Sequence, residues 1–259
     1  MNRRLMIIAI EHRDFLVFTQ TDHARFAGEL LSLWRDGDLA DHPRRSDLLF
    51  AAREHDNGWR EADAAPSCEA ESGKPYDFIS LPDGERRDTW RRGTARFADK
   101  RPYAALLITL HGLNVTAHRA AAAEEDRDEW TELVTELTER RNELLESAGC
   151  DLATAEADYR LIDLTDLISL TVCNHWADPF ERHGLKGRFD PEIHALYLAP
   201  FPLAGSTTFD IPVRRIPRRQ YEGDADLGGE IAAARWEELR VRVAPWAGVE
   251  MLEGAATEP

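Results

Sequence analysis

Four short pieces of the chain carry side chains able to hold a metal ion: Thr21, Asp22 and His23; His55 and Asp56; Leu110, His111 and Gly112; and Asp166 within a strongly apolar stretch. Imidazole and carboxylate together suit Mn, Fe, Co, Ni or Zn, whereas Ca takes oxygen ligands alone. One or two such ions would lower the pKa of a bound water and offset negative charge developing as it reacts. Asp166 makes the strongest demand, because an ionised carboxylate with apolar residues on all sides is costly unless something positive or hydrogen-bonding faces it. A cation meets that demand. An Arg partner or a helix N-terminus would meet it for Asp163 or Asp166 as well. Taken singly, His23 and His111 are more often hydrogen-bonded core histidines than ligands. Only the joint occurrence points to a metal.

Adjacent side chains on a helix diverge by about 100°. His55 and Asp56 can therefore share an ion only at a helix edge, where the negative end of the helix dipole favours a cation. Asn57 and Gly58 then supply a tight left-handed exit, and Trp59 an aromatic wall. His118 lies two turns beyond His111, about 10 Å along the axis, too far to share its ion, and His175 is a weaker candidate. Asp56 is the candidate to bridge two metals or hold the reacting water. Lys74, one of three lysines with Lys100 and Lys186, is the candidate phosphate clamp, with a solvated loop residue as the alternative. Arg214, Arg215, Arg218 and Arg219 either attract a phosphorylated ligand or neutralise an acidic surface along a strand edge.

These residues need elements to position them. Met6 to Ile10 and Phe15 to Thr19 read as a hairpin. Phe26, Ala27, Leu30, Leu31 and Trp34 recur at helical spacing over Asp22 to Trp34, with Thr21 or Asp22 as cap and His23 on the inward stripe. Ser46 is the expected cap of a helix over Asp47 to Asp56. Glu61 to Trp90, rich in Pro, Gly and Asp, reads as a long irregular excursion. Helices follow over Pro102 to His118 and Glu124 to Ser147, the second forming a helical-hairpin arm with Trp130, Leu133 and Leu137 on its apolar face. Thr154 to Trp176 is apolar on all sides and belongs in the middle of a bundle. Strands are expected over Ile193 to Pro202 and Thr207 to Ile216, a helix over Glu230 to Arg240, and fraying from Val241.

The bulk properties bound the rest. At 259 residues and 43% hydrophobic content the chain can bury a sizeable core. A net charge of -16 argues against a surface for nucleic-acid backbones. Cys68, Cys150 and Cys173 are scattered, without a C-x-x-C pair, so they read as reduced thiols. The apolar run Leu5 to Ile10 is too short for a signal peptide, and no stretch is long enough to span a bilayer, which makes the cytoplasm the expected location. There is no dinucleotide or Walker fingerprint and no G-x-S-x-G setting.

The order of the candidate ligands, His, then His-Asp, then a late buried Asp, resembles the HD-domain superfamily of metal-dependent phosphohydrolases. Gln20 to His23, His55 to Trp59, Thr109 to Gly112 and Asp166 to Leu170 look more particularly like an HD-like family of unknown function, over roughly residues 5 to 220. The resemblance implies His23, His55, Asp56 and Asp166 as ligands, with His111 a fifth or a ligand of a second ion. No sixth ligand stands at the spacing seen in binuclear members. It also implies one mainly α, HD-like domain over 1–259: a helical core at about 20–178, a small accessory sheet from about 5–19 and 190–220, and a frayed tail at about 250–259. The expected function is hydrolysis of a phosphate ester of a small molecule or nucleotide. The rivals are a non-haem iron oxygenase on the same scaffold and a non-catalytic, metal-stabilised ligand-binding protein.

Overall fold

In the computed structural model, which describes residues 6–35, 37 and 39–246, the chain starts with the expected hairpin. Strands β1 (Met6–Glu11) and β2 (Asp14–Thr19) pair antiparallel, with Ile7 opposite Phe18 and Ala9 opposite Leu16. Those four side chains share one buried face, as the two-residue period of a strand requires. Helix α1 (Gln20–Ser32) follows at once. Its cap is Thr19, whose hydroxyl accepts from the Asp22 N–H at 2.9 Å. Helix α2 (Arg45–Glu54) begins one residue before Ser46 and has no side-chain cap.

The irregular excursion is shorter than expected. Helices α3 (Arg60–Asp63) and α4 (Asp83–Ala95) occupy its two ends. The sequence of α4, with four Arg and three acidic residues around a single Trp90, has no apolar stripe to announce it; it is held by packing of Trp90, Gly93 and Thr94 on its neighbours. Helix α5 (Pro102–Ala122) opens on a proline at its first position, where no N–H is needed. Helix α6 (Arg127–Ala148) ends at Gly149 with φ 56°, a left-handed exit that glycine adopts without penalty. Asp151 caps helix α7 (Leu152–Cys173) by accepting from Thr154 N–H at 2.9 Å.

Strands then dominate. They are β3 (Phe180–Arg182), β4 (Leu185–Asp190), β5 (Ala195–Ala199), β6 (Thr207–Pro217) and β7 (Trp236–Pro245), with helix α8 (Asp224–Ala233) before the last. All seven strands join one mixed sheet in the order β1-β2-β6-β7-β5-β4-β3, curled into a half-barrel, with β5 and β7 its one parallel pair. This corrects the expectation of a mainly α, essentially all-helical bundle with a small accessory sheet. Strands make up 22% of the chain against 51% helix, and the sheet is a full layer of the structure.

The expected helix over Glu230 to Arg240 fails for an identifiable reason. Leu239, Val241 and Val243 are buried alternately with exposed charged residues, a period of two that a helical window averages away. Instead of fraying at Val241, that segment is an interior strand between β6 and β5. The tail at 250–259 lies outside the described residues.

The main core fills the space between one sheet face and the helices. Phe18, Phe209, Ile211, Val241 and Leu196 meet Phe26 and Leu30 of α1 and Ile168 and Val172 of α7 there. A second cluster around Trp130 joins α4, α5 and α6. A third, with Met6, Val17, Ile216 and Tyr221, lies on the opposite face of the sheet under α8.

Candidate metal centre

Each donor reaches the centre for a local reason. The Thr19 cap fixes the first turn of α1, so His23 points inward and is fully buried. At the end of α2 the chain tightens into a 3-10 turn over Asn57–Trp59. His55 and Asp56 leave the helix edge there, which removes the divergence expected of neighbours on a continuing helix. Gly58 permits the turn by close approach and not by a left-handed φ. A Cβ on it would lie 2.1 Å from the Thr89 carbonyl oxygen and 2.9 Å from the Gly93 nitrogen of α4. Asp166 comes from the middle of α7.

Four atoms converge: His23 Nε2, His55 Nε2, Asp56 Oδ2 and Asp166 Oδ1, all within 4.8 Å of one another. His23 Nε2 lies 3.1 Å from His55 Nε2, 3.2 Å from Asp56 Oδ2 and 3.4 Å from Asp166 Oδ1. His55 Nε2 lies 3.1 Å from Asp166 Oδ1 and 3.6 Å from Asp56 Oδ2. Bonds of about 2.0–2.1 Å to a tetrahedral ion place neighbouring donors about 3.3–3.4 Å apart. The five separations bracket that value.

The outer hydrogen bonds decide which way the rings present their lone pairs. His55 Nδ1 is 2.8 Å from the Ala52 carbonyl oxygen, which can only accept, so Nδ1 carries the hydrogen. Ser169 donates its hydroxyl hydrogen to the Asp166 carbonyl at 2.9 Å, so its oxygen accepts from His23 Nδ1–H at 2.7 Å. With Nδ1 donating outward on both rings, Nε2 is the nitrogen that each turns toward two carboxylate oxygens, ready to ligate when it carries no proton. Trp59 Nε1–H donates to Asp56 Oδ1 at 3.1 Å and fixes which oxygen of Asp56 faces the centre. Such outer partners orient metal ligands and raise their basicity.

Electrostatics tell the same story. Burial opposes charge on His55, yet the facing carboxylates of Asp56 and Asp166 and the bonds to Asp166 and Ala52 outweigh it and raise its pKa to about 9. Burial likewise pushes the carboxyls of Asp56 and Asp166 up, but the surrounding histidines, His55 foremost, hold both below the usual carboxylate range. The cluster attracts positive charge, and a proton on His55 supplies it when no ion does.

His111, equally buried, stands beside this group and outside it. Its Nε2 is 3.8 Å from Asp56 Oδ1, its ring meets that of His55 edge-on at 4.9 Å, and its Nδ1 is 3.4 Å from the Tyr159 hydroxyl. Burial lowers its pKa and keeps it neutral. Gly112 makes room for Trp90 and Thr94 of α4, each 3.3 Å from where its Cβ would sit.

A protein family described as "Protein of unknown function (DUF3891)" matches residues 6–247. The chain belongs to that family. No curated protein and no solved structure matches it. The family description names no activity and makes no link to the HD-domain superfamily, so the chemistry of this member of the family rests on its side chains.

Other sequence candidates lie elsewhere. Lys74 is exposed and lines a cavity with Ile8, Ile10, Phe15 and Arg218, on the sheet face turned away from α1 and α7. A cationic clamp at that position is corrected by the intervening sheet. His118 is exposed and binds the Asn114 carbonyl. His175 turns toward Glu11 and His194. Asp163, the other acidic candidate of α7, takes the arginine partner: Arg182 Nη1 binds both its oxygens at 2.8 and 2.9 Å, and His183 Nε2 lies 2.8 Å from one of them. Within the basic cluster, Arg215 pairs with Glu11, and Arg219 with Asp226 and Glu230. Ser169, Tyr159, Arg182 and His183 are additions from the structure. Only Ser169, one turn after Asp166, had a sequence signal.

Asp63 of α3 offers a pH test near the site. Its carboxylate accepts from the Gln20 and Thr21 N–H groups at 3.3 Å, at the start of α1. Burial is the largest influence on it and, helped by the charges of Asp56 and Asp22, raises its pKa to about 8 against those two bonds. A carboxyl whose folded pKa exceeds its unfolded value of about 4 binds more protons when folded, so its contribution to stability declines as pH rises between those values. Asp63→Asn keeps an acceptor and removes the titration. Its melting temperature relative to wild type should climb from pH 5 to pH 8, and a pH-independent difference would contradict the assignment.

Proposed function

We propose that this chain is a metal-dependent hydrolase acting on a phosphate ester of a small molecule or nucleotide. The observation that supports it is the convergence of two imidazole lone pairs and two carboxylate oxygens from α1, the end of α2 and α7, with both rings oriented by outer bonds. His23, His55, Asp56 and Asp166 would hold one divalent transition ion, Mn, Fe, Co, Ni or Zn. When bound, the ion would supply activated water and offset charge at phosphorus.

The protein's own groups perform the remaining tasks. Asp56 Oδ1 and neutral His111 face each other across 3.8 Å at the edge of the cluster, so His111 is placed to take the proton of a water held there. Asp56 and Asp166 are the partly open members, with side chains 9% and 13% exposed, which sets the direction from which a substrate enters. On α7 one turn before Asp166, Asp163 holds Arg182 and His183. Arg182 is 42% exposed and presents a guanidinium suited to a phosphate group. It takes the role expected of Lys74. No helix among the described residues is long and apolar enough to cross a membrane. The unpaired Cys68, Cys150 and Cys173 fit a reducing, cytoplasmic setting.

The test is elemental analysis of protein purified without added metal, followed by phosphomonoester and phosphodiester panels with Mn, Co, Ni or Zn. Ester turnover that follows metal content supports the proposal. Iron with oxygen uptake and no ester turnover would replace it with the oxygenase reading. Metal that raises the melting temperature without any turnover would leave a binding protein. Ser169→Ala, which removes the acceptor for His23 Nδ1–H, should weaken metal binding by about 10- to 100-fold. Calorimetry showing unchanged affinity would deny Ser169 that positioning part.

A further inference from the structure

We infer that Glu11, His175 and His194 form a second cation site, for a transition metal of the zinc type, which ties the exit of α7 to the sheet. The three residues come from distant places: the last position of β1, the turn just past α7, and the turn between β4 and β5. One donor atom from each lies within 4.8 Å of the other two. His194 Nε2 and Glu11 Oε1 are 3.3 Å apart, the edge that bonds of about 2.0–2.1 Å to a tetrahedral ion would produce. The decisive atom is His175 Nε2. It is buried and has no hydrogen-bond partner, although the His175 ring lies 5.7 Å from that of His194. A buried ring nitrogen without a partner is costly, and an ion among the three side chains removes the cost.

The charged groups around the site favour a divalent ion. Arg215 binds the other oxygen of Glu11, Oε2, at 2.7 Å and so leaves Oε1 turned to His194. The same guanidinium lies 3.7 Å from Asp14 and 3.5 Å from Glu237. Three carboxylates thus face one guanidinium, leaving negative charge for an ion to balance. Two imidazoles and one carboxylate suit Zn, Co or Ni and are a poor match for Ca or Mg. Glu11 and His194 are 20% and 29% exposed, which gives the ion a path from solvent.

The site is separate from the cluster on α1, α2 and α7, because α7 runs on from Asp166 to Cys173, about 10 Å at ordinary rise, before the turn that carries His175. Its consequence is mechanical: α7 delivers Asp166 and Ser169 to the main cluster, and an ion at its exit would hold that helix against β1 and the β4–β5 turn.

The test uses the full chain stripped of metal and titrated calorimetrically with zinc. In His55→Ala/Asp166→Ala protein, where the main cluster is disabled, about one equivalent of zinc should still bind, and adding His175→Gln/His194→Gln should abolish it. If the disabled protein does not fold, His175→Gln/His194→Gln in the wild-type background should lower the stoichiometry by one. Crystals soaked in zinc should show an anomalous peak among the three side chains. No residual equivalent, an equivalent that survives the His175 and His194 changes, or no such peak would overturn the site and leave a water as the partner of His175. The two readings fail separately, since loss of ester turnover with this equivalent intact counts only against the hydrolase.

Discussion

Asp166→Ala protein is expected to lose the metal of the main cluster and to turn over phosphate esters at background rate. The side chain supplies one of four donors, and it also lies 3.1 Å from His55 Nε2, where its charge favours a cation over an empty site. Three remaining donors hold an ion less tightly, and without it a water keeps a pKa near 15.7 instead of about 7. That difference puts the expected loss at about three orders of magnitude or more. Asp166→Asn separates chemistry from packing, because it preserves the shape of the side chain while removing its charge. Both variants should remain folded by circular dichroism, and their metal should drop below about 0.1 per chain. Wild-type metal content and turnover in Asp166→Asn would exclude Asp166 as a ligand and the convergence as the source of activity.

The second large effect belongs to Gly58→Ala. The new Cβ would sit 2.1 Å from the Thr89 carbonyl oxygen and 3.0 Å from the Gly93 Cα, both backbone atoms of α4 that no side-chain rotation can relieve. Either α4 or the 3-10 turn must move. Overpacking of this kind costs about 3 kcal/mol or more, a fall in melting temperature of roughly 6–12 °C for a chain of this size. The turn also carries Trp59, whose indole orients Asp56, so metal affinity should fall with stability. Gly84→Ala is the matched control. It lies inside α4 with its nearest neighbour the far end of Arg87 at 3.9 Å, and should raise stability by about 0.5–1 kcal/mol. Equal melting temperatures for the two variants would refute the close approach at Gly58.

The gap between reading and structure was widest in the last third of the chain. Helix α1 was legible because Phe26, Leu30 and Leu31 mark one face, although its cap is Thr19 and not the expected Thr21 or Asp22. Helix α4 was not, since its residues are held by contacts with Asn57, Gly58 and Trp59 and carry almost no apolar signal of their own. In β7 the alternation of Leu239, Val241 and Val243 was present but masked by charged residues between them, and without that strand the sheet seemed a minor appendage. Lys74 failed as a candidate for a different reason: rarity in a composition says nothing about which side of a sheet a residue occupies.

What the amino-acid order determined alone was the kind of donor available and the local geometry that exposes it: imidazoles and carboxylates, a capped first turn for His23, and a helix end for His55 and Asp56. Those depend on hydrogen bonds spanning three or four residues, which the nearby sequence dictates. Tertiary structure decided that Asp166 faces the histidines while Asp163, one turn earlier, faces Arg182, and that His175 leaves the centre for Glu11 and His194. Those choices depend on how α7 is rotated against α1 and the sheet, and the packing of the whole core sets that rotation.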